Sequence, residues 1–217
     1  MIQSNFRDWT LEKIDESFGL KQVFNTSLLE NLLDYNKEVN DFERQYIKDL
    51  QAHFILGGDD WNEVELENKF ISPLIMFAST PTEQFSYFLE RDLALEIDGY
   101  HLSGRVDGMI ASGFRSPKKP YFCLNEYKKG TDPTMDIANG DPRGQALISM
   151  LVAQKINDDK FPIYGCYVIG RNWYFMILRG QEYAISNDYS CVDNEIFDIY
   201  KILKNLNVEI RKTITLY

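Results

Sequence analysis

YFCLNEYKK, residues 121–129, is the stretch that decides the fold. Its apolar start marks a strand built to be buried, yet Glu126 and Lys128 follow two residues apart. In a strand that spacing places both side chains on one face and sends Tyr127 to the other. A buried strand is therefore expected to present an acid and a base side by side. Upstream, GRVDGMI at 104–110 reads as the preceding strand, with Leu102, Val106 and Ile110 on one face and Asp107 on the other. Small Gly108 beside Asp107 leaves room for an ion or substrate to approach. If the two strands pair, Asp107 and Glu126 converge. The plainer alternatives are a solvated cross-strand charge ladder for Glu126 and Lys128, and pairing of Asp107 with Arg105.

Working outward, Phe85, Tyr87 and Leu89, then Leu93, Leu95 and Ile97, alternate as a strand does, and Asp98-Gly99 signals a hairpin into the next one. The basic loop FRSPKKP (114–120) leads into the third strand. A Gly-, Pro- and Asp-rich loop over 129–142 precedes the helix RGQALISMLVAQKI, two apolar strands (IYGCYVIG and WYFMIL), and a final amphipathic helix carrying Ile196, Ile199, Tyr200, Leu203 and Leu206. Trp173 and Tyr174 lie in an apolar run, so core packing is expected of them rather than base stacking.

Toward the amino terminus, residues 8–57 carry helical stripes (Leu28, Leu29, Leu32, Leu33; then Val39, Phe42, Ile47, Leu50, Phe54), closed by Gly57-Gly58. Asp60-Trp-Asn-Glu63 offers a capping-box start for a helix with Leu66, Phe70, Leu74 and Ile75 inward, and Pro73 should end or bend it. From residue 60 the order is helix, three strands, helix, strand, strand, which suggests an α/β mixed sheet with helices on both faces. The expected organisation is a helical extension over 1–58 and one domain over 59–217.

Composition narrows the chemistry. With 44% hydrophobic residues in 217, the chain can bury a real core. Its start is polar and no apolar run has membrane-spanning length, so a soluble, cytoplasmic protein away from membranes is expected. Cys123, Cys166 and Cys191 are odd in number and far apart, and only His53 and His101 are present, so a disulfide framework or a histidine-rich zinc site is excluded and any metal must be held by oxygen. The net charge of −10 disfavours polyanion binding, but it is unevenly placed: residues 1–100 carry 8 basic and 20 acidic side chains, whereas 101–145 carry 7 and 5. The acidic helical region is thus a candidate surface for a protein partner.

Two converging carboxylates repel unless a cation lies between them, and Mg2+ (or Mn2+) suits oxygen ligands completed by water and phosphate. Lys128 can orient the attacking water or stabilise the added negative charge of the transition state.

RVDG and NEYK, in this order on second and third strands, resemble the PD-(D/E)XK nuclease superfamily, and WNEVELENKFISPLI is similar to the first core helix of nuclease domains in type I restriction motor subunits. That resemblance spans about residues 60–178. It implies a restriction-endonuclease-like αβββαβ core, a divalent-metal nuclease with DNA as the expected substrate, and a site of Asp107, Glu126 and Lys128. By the same resemblance Glu63 joins as the helix glutamate, with Glu67 one turn on as its alternate, and Gln145 as the second-helix glutamine. Val106 stands where the family motif often has proline. Glu63 has a plainer role as a capping-box residue and Gln145 as a first-turn helix residue. Lys129 and Arg143 flank the site as possible phosphate contacts. Two other functions stay open: a nuclease-fold protein used for binding or assembly without catalysis, and a hydrolase of a small phosphorylated molecule.

Overall fold

The computed structural model describes residues 1–24, 26–34, 36–79, 82–130 and 140–215. The chain begins with β1 (Ile2–Asn5), a 3-10 turn (Phe6–Asp8), α1 (Leu11–Phe18), β2 (Lys21–Gln22), α2 (Ser27–Leu33) and α3 (Asp41–Gly57). A three-part helix follows: α4 (Glu63–Leu66), a π-helical turn (Glu67–Ile71) and α5 (Ser72–Ala78). Next come β3 (Phe85–Ile97), β4 (Tyr100–Ser112), β5 (Lys118–Lys128), α6 (Pro142–Ile156), β6 (Ile163–Ile169), β7 (Asn172–Arg179), β8 (Glu182–Ile185), β9 (Tyr189–Ser190) and α7 (Ile196–Thr215). The expected loop over 129–142 falls largely outside the described residues.

The sheet is mixed, in the order β1-β4-β5-β6-β7-β8-β2, with β3 also on β4 and β9 on β7. Helices cover both faces. On one side α6 and α1 close over Met109, Leu124 and Leu178, with Leu147 and Met150 at the centre. On the other, α3, α5 and α7 enclose Phe54, Phe70, Ile110, Phe122 and Trp173. Each such large apolar side chain removed from water contributes about 1.5–3 kcal/mol. Among the described residues no helix is long and apolar enough to cross a membrane.

Several expectations are corrected. The first 58 residues are not only helical: β1 pairs in parallel with β4 and β2 with β8, so this region supplies one end of the sheet, β2, and a short strand beside β5 on β4. Propensity missed these strands because they are short and their backbone partners lie far along the chain. The helix cap is Asn62 with Glu65, not Asp60 with Glu63, because Asp60 is taken up in a preceding 3-10 turn. Pro73 does not end the helix: Ser72 N–H reaches back five residues to Glu67 O, and Pro73 follows where this π-helical segment gives way to α5.

The hairpin is as expected, Asp98 and Gly99 both having positive φ (48° and 86°) as a mirror-image two-residue turn requires. The strand faces are not. Tyr87 and Ile110 pack on the α5/α7 side, whereas Leu93, Leu102 and Val106 pack on the α6 side. The phase reverses between them, where Glu90 has a φ of 52° and faces Asp107 across a break in the β3–β4 pairing. Leu102 and Val106 therefore do not share a face with Ile110.

Candidate active site

One edge of β4 is shared by two neighbours. β1 pairs with Tyr100–Ser103 and β5 with Gly108–Ser112, while β3 runs along the opposite edge. Residues 104–107 lie between the two partners, and here β5 leaves β4 to continue alongside β6 alone, Glu126 opposite Tyr167 and Lys128 opposite Ile169. Asp107 stands at the mouth of this wedge. Its Oδ2 accepts the Tyr127 N–H at 2.6 Å, joining the strands just beyond the last ladder pair, Gly108–Asn125. Gly108 is required there because a Cβ would come within 2.5 Å of the Tyr87 hydroxyl, which bonds the Tyr127 hydroxyl at 2.7 Å beneath the site.

The structure brings Asp107, Glu126 and Lys128 together. Glu126 is 5% exposed, and Lys128 Nζ lies 2.8 Å from its Oε1. Burial raises the Glu126 pKa, and the nearby Asp107 charge raises it further against the pull of Lys128. Asp107 is likewise raised by burial, opposed by Lys128 and by the Tyr127 N–H. Burial pulls Lys128 down, but the charge and hydrogen bond of Glu126, with Asp107 and Glu63 behind it, hold the ammonium above its ordinary value. Lys128 therefore stays protonated across the neutral range.

The two helix glutamates part ways. Glu63 is half exposed and reaches only to 3.9 Å from Lys128. Glu67, one turn on in the π-helical segment, is buried, and its Oε1 has no hydrogen-bond partner. Burial, with the charges of Asp107 and Glu90, pushes its pKa up to about 7. A widened turn often marks a functional position, because it re-aims side chains that a regular helix would send elsewhere. Gln145 is buried in the first turn of α6, its amide against Gly140. Arg143 is tied to Asp141, which also caps α6, and its charge lies near Tyr167 and Tyr174. The Lys129 charge acts on Asp59 and Glu65 on the α4 side, helping to lower both. Trp173 is fully buried, and Tyr174 stacks on Tyr167 with centroids 4.5 Å apart.

Glu90 was missed by the sequence, yet its charge acts on both Asp107 and Glu67. The signal is present: three consecutive charges in FLERDL interrupt two apolar alternations. Arg105 pairs with Asp92 at 2.9 Å and with Glu90 at 3.8 Å, not with Asp107.

Buried acids that raise one another, plus an orphaned carboxylate oxygen on Glu67, are a donor set suited to a hard dication. Among the described residues no three His, Cys, Asp or Glu side chains are gathered closely enough to enclose an ion alone. Compared with known proteins, the chain matches no family model and no curated protein.

Proposed function

We propose that the chain is a divalent-metal-dependent nuclease of the restriction-endonuclease-like PD-(D/E)XK class, hydrolysing phosphodiester bonds in DNA. One observation carries this: an acid on one strand and acid-x-lysine on the next meet where the strands separate, with Lys128 Nζ 2.8 Å from Glu126. The order of helix, three strands, helix, strand from Glu63 to Ile169 supports the same class. When bound, Mg2+ or Mn2+ polarises a phosphoryl oxygen and makes water a competent nucleophile at neutral pH. Asp107 and Glu126 would hold it with water or substrate oxygens completing its shell, and Glu67 rather than Glu63 is the buried helix acid whose charge meets that of Asp107. Lys128, kept charged by Glu126, donates to the oxygen on which negative charge develops. Glu63 steadies Lys128 from the solvent side.

The test is direct. Purified protein with Mg2+ or Mn2+ is incubated with plasmid and single-stranded DNA; nicking should be lost in Glu126→Ala and in Lys128→Ala while circular dichroism stays unchanged. Full cleavage in both variants overturns the assignment.

A second function, binding or assembly without catalysis, is favoured by the 20 acidic side chains in the first hundred residues. Calorimetry with Mn2+ separates the two: no heat and no thermal shift supports assembly alone, and an isotherm lost in Asp107→Ala supports the nuclease.

A further inference from the structure

Among the described residues β3 pairs with β4 alone, so its other margin is an edge of the sheet. Gly113 donates its N–H to Gln84 O and Phe85 stands opposite Ser112, so Gln84, Ser86 and Phe88 turn their backbone groups toward β4. Phe85, Tyr87 and Leu89 turn theirs outward. At Phe85 the outward groups are already used: its N–H donates to Thr82 Oγ1 at 3.2 Å, and its carbonyl accepts the Thr82 N–H at 3.3 Å. Those of Tyr87 and Leu89 have no partner among the described residues. Natural proteins blunt such edges with charges and local breaks, and Glu90, with its φ of 52°, Arg91 and Asp92 do so further along. The stretch FSYFL from Phe85 to Leu89 carries neither a charge nor a proline.

A pocket of about 280 Å3 opens along the same edge, lined by Phe85, Ser86, Tyr87 and Phe88 in succession. Phe85 and Tyr87 face the α5/α7 side and Phe88 the α6 side, so an opening that meets all four takes in the strand's outer margin. Met76 and Phe114, 56% and 72% exposed, also line it, which keeps two large apolar side chains in water beside unpaired backbone. The charges that remain unengaged here are mostly positive. Arg115 lines the pocket, Arg211 lies 5.9 Å over the Phe85 ring, and Arg91 lies 5.8 Å over the Phe88 ring. All three are exposed, and none pairs with a carboxylate among the described residues. Of the acids nearby, Glu209 is held by Lys212 at 2.6 Å, and Glu90 and Asp92 are held by Arg105. Glu83 alone stands against the three arginines among the described residues.

We infer that the outer edge of β3 at Tyr87 and Leu89 is a docking site for an extended, acidic segment of a partner protein, which adds to the sheet as a further strand. Strand addition draws affinity from main-chain hydrogen bonds and specificity from pockets that take alternate side chains. Tyr87 and Leu89 supply the backbone groups, and the pocket lined by Met76 and Phe114 takes an apolar side chain of the segment. Carboxylates along the segment meet Arg91, Arg115 and Arg211. A nucleic-acid strand suits the arginines but not the edge, because phosphates offer no N–H to the outward carbonyls. A second copy of this chain would set the same arginines against their like, and like charges across an interface disfavour it. The inference does not rest on the nuclease assignment.

Fluorescence anisotropy with the full chain tests this, using a short labelled peptide of alternating valine and glutamate, the same peptide with lysine in place of glutamate, and a short single-stranded DNA as competitor. The acidic peptide should bind at micromolar concentration and the basic one should not. Arg115→Glu and Arg211→Glu should each weaken binding by about tenfold, as reversal of a contact charge does, while Lys48→Glu, on α3, should change nothing. Backbone pairing is read from the ligand, so that no variant has to fold: N-methylation of one alternate set of peptide residues should abolish binding, and N-methylation of the intervening set should leave it intact. Hydrogen exchange at the Tyr87 and Leu89 amides should slow when the peptide is bound. Equal binding of the acidic and basic peptides, indifference to N-methylation of either set, or displacement of the peptide by DNA overturns the inference. So does a chain that self-associates in light scattering and protects those two amides without any peptide, because the edge is then an interface between copies.

Discussion

The carboxylates inside the wedge and those on its rim behave in opposite ways. Asp107, Glu126 and Glu67 are withdrawn from water, and burial raises all three. Asp59, Glu65 and Asp92 lie in solvent, where a hydrogen-bonded Arg or Lys lowers each. The same side-chain chemistry thus produces a site that resists ionising without a cation and a rim that is ionised at any physiological pH. The difference comes from what surrounds each group. Inside, one ammonium serves several acids; outside, each acid has its own cation and the solvent.

The sharpest way to break the contrast is at its centre. Glu126→Ala or Lys128→Ala should lower cleavage at least about 1000-fold, roughly 4 kcal/mol of lost transition-state stabilisation. Residual cleavage within tenfold of the parent would place the chemistry elsewhere.

Next in size is the pH dependence of stability without metal. Glu67 is raised from 4.5 to about 7 in the folded chain, so between those values the folded state holds a proton that the unfolded state has released. Stability must then fall as pH rises through that window, by up to roughly 3 kcal/mol for this group. Glu67→Gln should remove that part of the slope and raise the melting temperature at pH 8. An unchanged slope would mean that Glu67 is solvated.

Divalent metal should sharpen the contrast from the other side. At a hundred times its dissociation constant, Mn2+ should stabilise the fold by about 2.7 kcal/mol and flatten the pH slope. The gain, read by thermal shift, should vanish in Asp107→Ala. Smallest is the rim: Asp92→Asn and Glu65→Gln should leave the melting temperature within error, because exposed ion pairs contribute little. A large loss at either would show that the rim is structural.

Much of this arrangement is legible in the chain. Two-residue spacing in NEYK forecasts that Glu126 and Lys128 meet, and they lie 2.8 Å apart. Asp98-Gly99 fixes the hairpin and therefore the β3–β4 register, with Ile97 opposite Tyr100. The helix glutamate was less legible. Glu63 and Glu67 lie one regular turn apart on one helix face, and only the packing around the helix decides that Glu67 is buried and Glu63 is not. The phase reversal opposite Glu90 was hidden for a related reason. Alternation read along one strand assumes an unbroken pleat, and the left-handed residue that breaks it is set by the pairing partner.

The sequence by itself determined which residues alternate, where the chain turns and which strand carries an acid and a lysine together, because those properties depend on neighbours a few positions away. Only the tertiary structure decided that Ile2–Asn5 pairs along the edge of β4 and that β5 leaves that edge at Asp107. These depend on backbone hydrogen bonds and close approaches between segments about a hundred residues apart in the chain, as between Phe6 and Gly104. No local pattern encodes such a meeting, since it exists only once the sheet has closed around it.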